Sequence, residues 1–386
     1  MMTAEKVHKY ECNCLPYFHV NKFPDYLQMS FRIICKLGPS ELFRLFTTKD
    51  PEYFDRKEPF GTEPGCDYKT NSYLPVFHLI GHADKQELIP KCMNEHGAHL
   101  LTTILENQTN FFQDIPADCR DDFKDFVAAL ILRHIDNGSV NTGALVEIKG
   151  MEDISLADCY GDRISGKELA RRVEDDLGCR SFGQALYPTF SLMNHSCDPN
   201  VYTVINSVNG TISVIACRKL KKGEPMLLAY VRDFPYKPYE DRQNNLQDSY
   251  SFKCQCVACK HHWPLITEMN ARKPTFCCPD CSRMFYEFEK GSEQFKKCVL
   301  TKPRWKCGRC GKKYKEFELM RGHEEKEKIA AAGADMFLLN RSREAMLQIL
   351  KVAEYFQYHL HSPDAQHYIN QENLRRIMKL IYYYSE

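Results

Sequence analysis

From about residue 20 to residue 136, apolar side chains recur at the spacing of helices that bury one face. Leu27, Phe31 and Ile34 form one such stripe. Phe123, Phe126, Val127 and Leu130 form another, with Asp118 upstream as its predicted N-cap. The texture changes near residue 140. Val201–Val208 and Thr211–Ala216 are β-branched and partly alternating, and Asn209-Gly210 between them is a strong hairpin signal. Lys221-Lys222-Gly223-Glu224 reads as a second turn, and Met226–Tyr230 as a short strand after it. Beyond a cysteine-rich segment the chain is helical again. Ser362-Pro363 predicts an N-cap with proline at the first helical position, and Leu374, Ile377, Met378 and Ile381 share a face. The pattern predicts an α+β protein with helices at both ends and a block of short strands between them.

Composition narrows this picture. With 386 residues the chain has room for two or three domains of roughly 100–200 residues each. Lys+Arg is 52 and Asp+Glu is 51, so net charge selects no class of partner. The longest strongly apolar run, Val127–Leu132, falls far short of the ~18–20 residues of a membrane span, and the N-terminus has no signal-peptide core. The expectation is a chain of the cytoplasm or nucleus with no membrane partner. Nine of the 19 cysteines fall between Cys254 and Cys310, in tight pairs. Without a secretory signal, such pairs point to metal rather than to a disulfide framework.

Cys254-Gln-Cys256-Val-Ala-Cys259 brings three thiols within six residues. Three thiolates leave one position of a tetrahedral zinc for water or for a distant ligand. No motif for zinc-activated water accompanies them, which favours a structural site, and Cys197 in Asn194-His195-Ser196-Cys197 is the candidate fourth ligand. Cys278-Pro-Asp-Cys281 and Cys307-Gly-Arg-Cys310 form a second, zinc-ribbon-like set; Cys277 and Cys298 nearby leave its ligand choice open. Lys296–Lys315 holds nine Lys/Arg and no acid. That is a nucleic-acid footprint or, with the higher prior, a solvated face.

The run Asn194-His195-Ser196-Cys197-Asp198-Pro199-Asn200, followed by Tyr230, Tyr250-x-Phe252 and the Cys254–Cys259 motif, resembles the SET-domain protein-lysine methyltransferases. It is most similar to the SET and MYND (SMYD) family, in the branch of its fourth member and arthropod relatives. The likeness is tightest over 183–262. His8 and Cys12 match the last two ligands of a MYND zinc finger. The resemblance implies S-adenosylmethionine and zinc as cofactors. It implies that Asn194 and His195 bind the adenine end of S-adenosylmethionine in a knotted loop and that Cys197 closes the post-SET zinc. Tyr230 would face the transferring methyl group, Tyr250 and Phe252 would wall the lysine channel, and Asn141 would contact the cofactor. Taken alone, Tyr230 reads as a strand-end core tyrosine; its neighbours turn the reading towards the active site. The implied partners are a protein substrate carrying a target lysine and transcriptional proteins, with nucleic acid a weaker prospect and a monomer expected.

On this reading residues 1–14 are a MYND remnant and 15–136 a helical insertion. The SET core spans 137–250, the post-SET zinc motif 251–262, the zinc-ribbon-like segment 274–315, and a truncated helical region 325–386. The chain departs from the family pattern in having no G-x-G cofactor loop and none of the first six MYND ligands. It therefore reads as N-terminally incomplete. The alternative function is a non-catalytic SET/zinc scaffold for transcriptional regulation.

Overall fold

The computed structural model describes residues 2–21, 23–56, 60–61, 72–148, 179–205, 210–218, 220–231, 234–270, 275–284, 299–302, 305–338, 342–360 and 363–384. The architecture is α+β, as expected, and the chain divides into two compact units.

The first unit comprises Met1–Leu145, Ser181–Met193 and Ser249–Ser251. Its helices are α1 (Met2–Glu11), α2 (Leu15–Asn21), α3 (Asp25–Leu37), α4 (Pro39–Thr48), α5 (Pro51–Phe54), α6 (Leu74–Phe77), α7 (Leu88–Gln108) and α8 (Arg120–Asn141). The predicted stripe on α3 is real: Phe31 and Ile34 are fully buried, with Leu27 packed at the edge. Gly38 ends α3 at φ 77°, a conformation that costs glycine little, and Pro39 opens α4 with its fixed φ. Phe123, Val127 and Leu130 of α8 enter the same core. The N-cap of α8 is Cys119, not Asp118. From residues 1–14, Val7, Tyr10 and Cys14 join this core, and Tyr10 packs edge-on against Phe111 at 5.0 Å.

The last turns of α8 are polar and hold the preceding segment by its backbone. Arg133 Nε donates to the Phe77 carbonyl at 2.7 Å, Asn137 Nδ2 to that of Val76 at 3.2 Å, and Asn141 Nδ2 to that of Ile80 at 2.7 Å. A methyl group on Gly81 would stand 2.9 Å from the Asn137 backbone nitrogen, so this close approach needs glycine. His134 is wholly buried, with Nε2 2.6 Å from the Tyr73 hydroxyl.

The second unit comprises Val146–Arg180, Asn194–Asp248 and Phe252–Glu386. Strands β1 (Thr142–Ile148) and β2 (Cys179–Leu186) pair with each other, and each crosses the boundary with its larger part in the first unit. β3 (Asn194–His195) runs parallel to β6 (Leu227–Leu228), and β4 (Val201–Ile205) pairs antiparallel with β5 (Ile212–Ala216). The hairpin at β4–β5 stands as expected, but its register differs. A two-residue Asn209-Gly210 turn would set residue 205 opposite 214; the ladder sets Ile205 opposite Ile212. Gly210 has the left-handed φ of 68° such a turn needs, while residues 206–209 lie outside the described residues. The Lys221–Glu224 turn forms, with Gly223 at φ 87° and the Glu224 N–H on the Lys221 carbonyl at 3.0 Å. The strand after it is only Leu227–Leu228, shorter than predicted.

The remaining elements are α9 (Tyr239–Tyr250), which spans the boundary, α10 (Val257–Lys260), α11 (Ile266–Asn270), α12 (Pro279–Met284), β7 (Leu300–Thr301), β8 (Lys306–Cys307), α13 (Glu316–Leu338), α14 (Ser342–His359) and α15 (Ala365–Tyr384). The helical end thus begins at Glu316 rather than 325. Asp364 caps α15, accepting the N–H groups of Gln366 and His367 at 2.9 and 3.3 Å. Ser362, predicted as that cap, lies outside the described residues, as do the side chains of Ile377 and Ile381. Leu374 and Met378 are buried as predicted, against Tyr202 and Val204 of β4 and Ala345 and Ile349 of α14. Among the described residues no helix is long and apolar enough to cross a membrane.

Burial, and next the nearby Arg133 charge, push the His134 imidazole down to about 3. In the unfolded chain it takes a proton as pH falls through about 6.5, whereas in the fold it stays neutral. Its contribution to stability is present above that value and is lost as pH falls towards 3. Between pH 7.5 and pH 5 the expected loss is ~2 kcal/mol. Urea unfolding of wild type and His134→Asn at both pH values should show a shallower pH dependence in the variant; identical slopes would contradict the assignment.

Candidate metal and catalytic centre

Two sets of four thiols come together. Cys197 lies on the loop after β3, Cys254 and Cys256 lie between α9 and α10, and Cys259 lies on α10. Their four sulfurs are within 4.8 Å of one another. Cys278, Cys281, Cys307 and Cys310 form the second set to the same tolerance. Sulfurs ~2.3 Å from a tetrahedral zinc stand about 3.8 Å apart. Cys197 and Cys259 are 3.6 Å apart, Cys278 and Cys310 3.7 Å, and Cys281 and Cys307 3.8 Å. A disulfide would need about 2.05 Å, and none of the eight cysteines is bridged. Both sets can hold zinc. Among the described residues the second set forms without Cys277, and Cys298 lies outside them.

The first set is embedded. Cys197, Cys254 and Cys259 are buried. Gln243 Nε2 donates to Cys259 Sγ at 3.3 Å and the Cys256 N–H to Cys254 Sγ at 3.4 Å. Gln243 also brackets Cys254, donating to its carbonyl at 3.1 Å and accepting its N–H at 2.9 Å. Arg242 is 1% exposed, with Nη2 3.9 Å from Cys259 Sγ and its guanidinium 5.0 Å over the Phe234 ring. Burial works against that charge, and the sulfurs of Cys259 and Cys197 more than offset it, raising the Arg242 pKa. Four thiolates around a dication carry a double negative charge, so a buried cation beside them is electrostatically matched. Hydrogen bonds, first from Cys197 and then from Cys254, hold the Cys259 thiol down to about 7 and Cys256 lower still.

Next to this set lies the expected catalytic group. His195 Nδ1 accepts the Tyr230 backbone N–H at 3.0 Å, so its proton sits on Nε2, which points at Cys197 Sγ at 3.5 Å. Both ring nitrogens are engaged inside the protein. The rings of His195 and Tyr230 are 5.3 Å apart, His195 and Phe252 5.9 Å, and Tyr230 and Phe252 6.3 Å at 88°. These three side chains are half-buried and Asn194 is exposed. The predicted residues Asn194, His195, Cys197, Tyr230, Phe252, Cys254, Cys256 and Cys259 thus gather in the second unit.

Asn141 and Tyr250 belong to the first unit. Both amide hydrogens of Asn141 are used, on the carbonyls of Ile80 and Asn137 at 2.7 Å each. Burial pushes the Tyr250 phenol up. His8 and Cys12 are exposed and one turn apart at the end of α1, with the Cys12 N–H on the His8 carbonyl at 3.1 Å. Neither joins a cluster of metal-ligating groups among the described residues.

Sequence reasoning gave no role to three residues that shape the site. Asn200, 2% exposed, accepts the Leu227 N–H on Oδ1 at 2.7 Å and donates from Nδ2 to the Pro225 carbonyl at 2.9 Å. Its own N–H reaches the Leu227 carbonyl at 3.0 Å, so it fastens the loop after β3 to β6. Its place at the end of the Asn-His-Ser-Cys-x-Pro-Asn run was the available signal. Arg242 and Gln243 had none, since neither carries a spacing pattern.

Residues 170–231 match the SET domain family. Human N-lysine methyltransferase SMYD2 is 38% identical over 102 residues, 26% of this chain and 20% of the relative. Mouse histone-lysine N-methyltransferase SMYD3 is 37% identical over 78 residues, 20% of this chain and 17% of the relative. Protein-lysine N-methyltransferase SMYD4 of Pongo abelii is 26% identical over 235 residues, 56% of this chain and 27% of the relative. The chain therefore spans about a sixth to a little over a quarter of the length of the curated relatives it matches.

Structural zinc supplies roughly 10–16 kcal/mol in small zinc modules, so removing a ligand should cost the metal. The purified chain is expected to hold two zinc ions, and Cys256→Ser one, with a lower unfolding midpoint. Zinc by atomic absorption checks this, and an unchanged content in Cys256→Ser would refute the ligand set.

Proposed function

We propose, for a chain that belongs to the SET and MYND (SMYD) family of SET-domain proteins, that it is an S-adenosylmethionine-dependent protein-lysine N-methyltransferase acting on histone or non-histone lysines. The observation that carries this reading is the joining of Tyr230 to His195, and of His195 to Cys197, beside the Phe252 ring. The reading takes Asn194 and the backbone around His195 as the adenine contacts, because the His195 ring is committed elsewhere. Asn141 and Tyr250 remain further contacts by resemblance, and a MYND role for His8 and Cys12 stands on the same footing. S-adenosylmethionine, when bound, supplies an electrophilic methyl group.

The rest of the chemistry falls to the protein. A lysine attacks only as the neutral amine. At pH 7 that form costs about 4.6 kcal/mol, from a pKa near 10.4 at ~1.36 kcal/mol per pH unit. The Tyr230–Phe252 pair would reduce this cost by stripping water from the ammonium. Alignment of the amine behind the methyl group could contribute up to ~7–11 kcal/mol. Tyr230 is held for that task at both ends of its residue, by its N–H on His195 and by its ring against Phe252. Zinc held by Cys197, Cys254, Cys256 and Cys259 would fold the wall, and the reading gives it no part in the transfer. The scaffold reading has less support, because Tyr230, Asn194 and His195 are all retained.

We place the protein in the cytoplasm or nucleus as a monomer with protein partners, including transcriptional ones. The basic segment 296–315 gives nucleic acid weaker support, since Lys302 pairs with Glu316 at 3.2 Å, Lys315 with Glu318 at 3.5 Å, and Lys312 with Asp280.

Calorimetric titration with S-adenosylmethionine tests the reading. One bound molecule per chain is expected, with Asn194→Ala weakening it at least ~ten-fold. Tyr230→Phe should leave binding intact and lower methyl transfer to a lysine-peptide library about 100-fold or more. Absent binding, or full turnover by Tyr230→Phe, would refute it.

A further inference from the structure

The two four-thiol sets differ in one respect that bears on their chemistry. In the first, Cys197, Cys254 and Cys259 are buried, Cys256 is half-buried, and Arg242 and Gln243 cover the sulfur of Cys259. In the second, Cys278, Cys281 and Cys307 are buried at 0, 5 and 0% exposure, whereas Cys310 is exposed. Its neighbours guard the inner sulfurs instead. The N–H groups of Arg309 and Cys310 donate to Cys307 Sγ at 3.4 and 3.5 Å, and the Tyr314 hydroxyl lies 3.2 Å from Cys278 Sγ. The exposed sulfur of Cys310 is 3.7 Å from that of Cys278.

A thiolate reacts with an oxidant in proportion to its access, and a second thiolate beside it resolves the product as a disulfide. We propose that the second set is a zinc site with a peroxide-sensitive outer ligand, opened by formation of a Cys278–Cys310 disulfide while the first site keeps its metal. The step balances. Cys310 thiolate attacks the peroxide, the O–O bond breaks, and a sulfenic acid and hydroxide form. Cys278 thiolate then attacks the Cys310 sulfur, forming the S–S bond and expelling the second hydroxide. The two thiolates lose the two electrons that the peroxide gains, Zn²⁺ leaves with two ligands gone, and Cys281 and Cys307 take up protons.

The place of this site gives the release a consequence. Cys278, Cys281 and Cys307 form one buried cluster with Phe276, Trp305, Leu319 and Phe356. Leu319 lies on α13 and Phe356 on α14, and the Cys277 N–H reaches the His359 carbonyl at 2.7 Å. Opening the second site therefore loosens the seat of α13 and α14. The first set, which adjoins Tyr230, has its own ligands and its own covering groups.

The test uses the full zinc-loaded chain and hydrogen peroxide, with zinc release followed by a chromogenic chelator. One equivalent should leave at least ~ten-fold faster than the other, with a Cys278–Cys310 disulfide found by peptide mapping. Dithiothreitol with added zinc should restore the second equivalent. Cys310→His keeps a fourth ligand without the thiol, and its fast phase should slow to the rate of the slow one. A chain that binds one zinc, two equivalents leaving together, a first disulfide involving Cys197, Cys254, Cys256 or Cys259, or an unchanged fast phase in Cys310→His would each overturn the proposal. Because the wild-type rates and the disulfide map are read without any substitution, a variant that fails to fold leaves the test decisive.

Discussion

A half-buried imidazole-to-sulfur contact organises the centre of the second unit. His195 can accept the Tyr230 N–H on Nδ1 only if Nε2 carries the proton, and that proton is then directed at Cys197. Cys197 in turn meets sulfurs from a segment more than fifty residues further along the chain. The position of Tyr230 is thereby tied to whatever holds the four thiols together. Short strands alone would do this poorly, because β3 and β6 are two residues each and offer few ladder bonds. Asn200 supplements them with both side-chain and backbone bonds to the 225–227 segment.

Charge sets the second constraint. Four thiolates cannot share a dry volume without compensation. A dication removes half of their charge, and Arg242 lies where the remainder falls. Its guanidinium is held by the Lys237 carbonyl at 2.6 Å and by the face of Phe234. Phe234 also packs against Tyr368 of α15 at 5.1 Å, and the Tyr368 hydroxyl donates to Asp198, next to Cys197, at 3.2 Å. The C-terminal helix is thus part of the frame of the metal loop, which explains why a helical module and a zinc motif occur within one compact unit.

Much of this was legible from sequence, for identifiable reasons. Thiol spacing is discrete chemistry, and Cys197 could be matched to the Cys254–Cys259 trio by counting ligands. The helical stripes of α3 and α8 were legible because burial follows the 3.6-residue period. The missing pieces depend on partners distant in sequence. Nothing around Arg242 or Gln243 announces that a sulfur lies opposite, and nothing around His134 announces Tyr73. The hairpin register escaped because Asn209-Gly210 predicts a tight turn, while the pairing of Ile205 with Ile212 is set by the strands themselves. At α15, the capping carboxylate of Asp364 follows the proline rather than preceding it, so Ser362-Pro363 drew the boundary too early.

The dependence of the cofactor site on the first thiol set can be measured without a substrate. S-adenosylmethionine is titrated calorimetrically into the zinc-loaded chain and into Cys197→Ala, whose substitution leaves Asn194, Tyr230 and Phe252 unaltered. Binding to the first and none to the second is the outcome expected if the metal loop positions the site. Equal affinity in the two proteins would mean that Tyr230 and Asn194 are placed independently of the thiols.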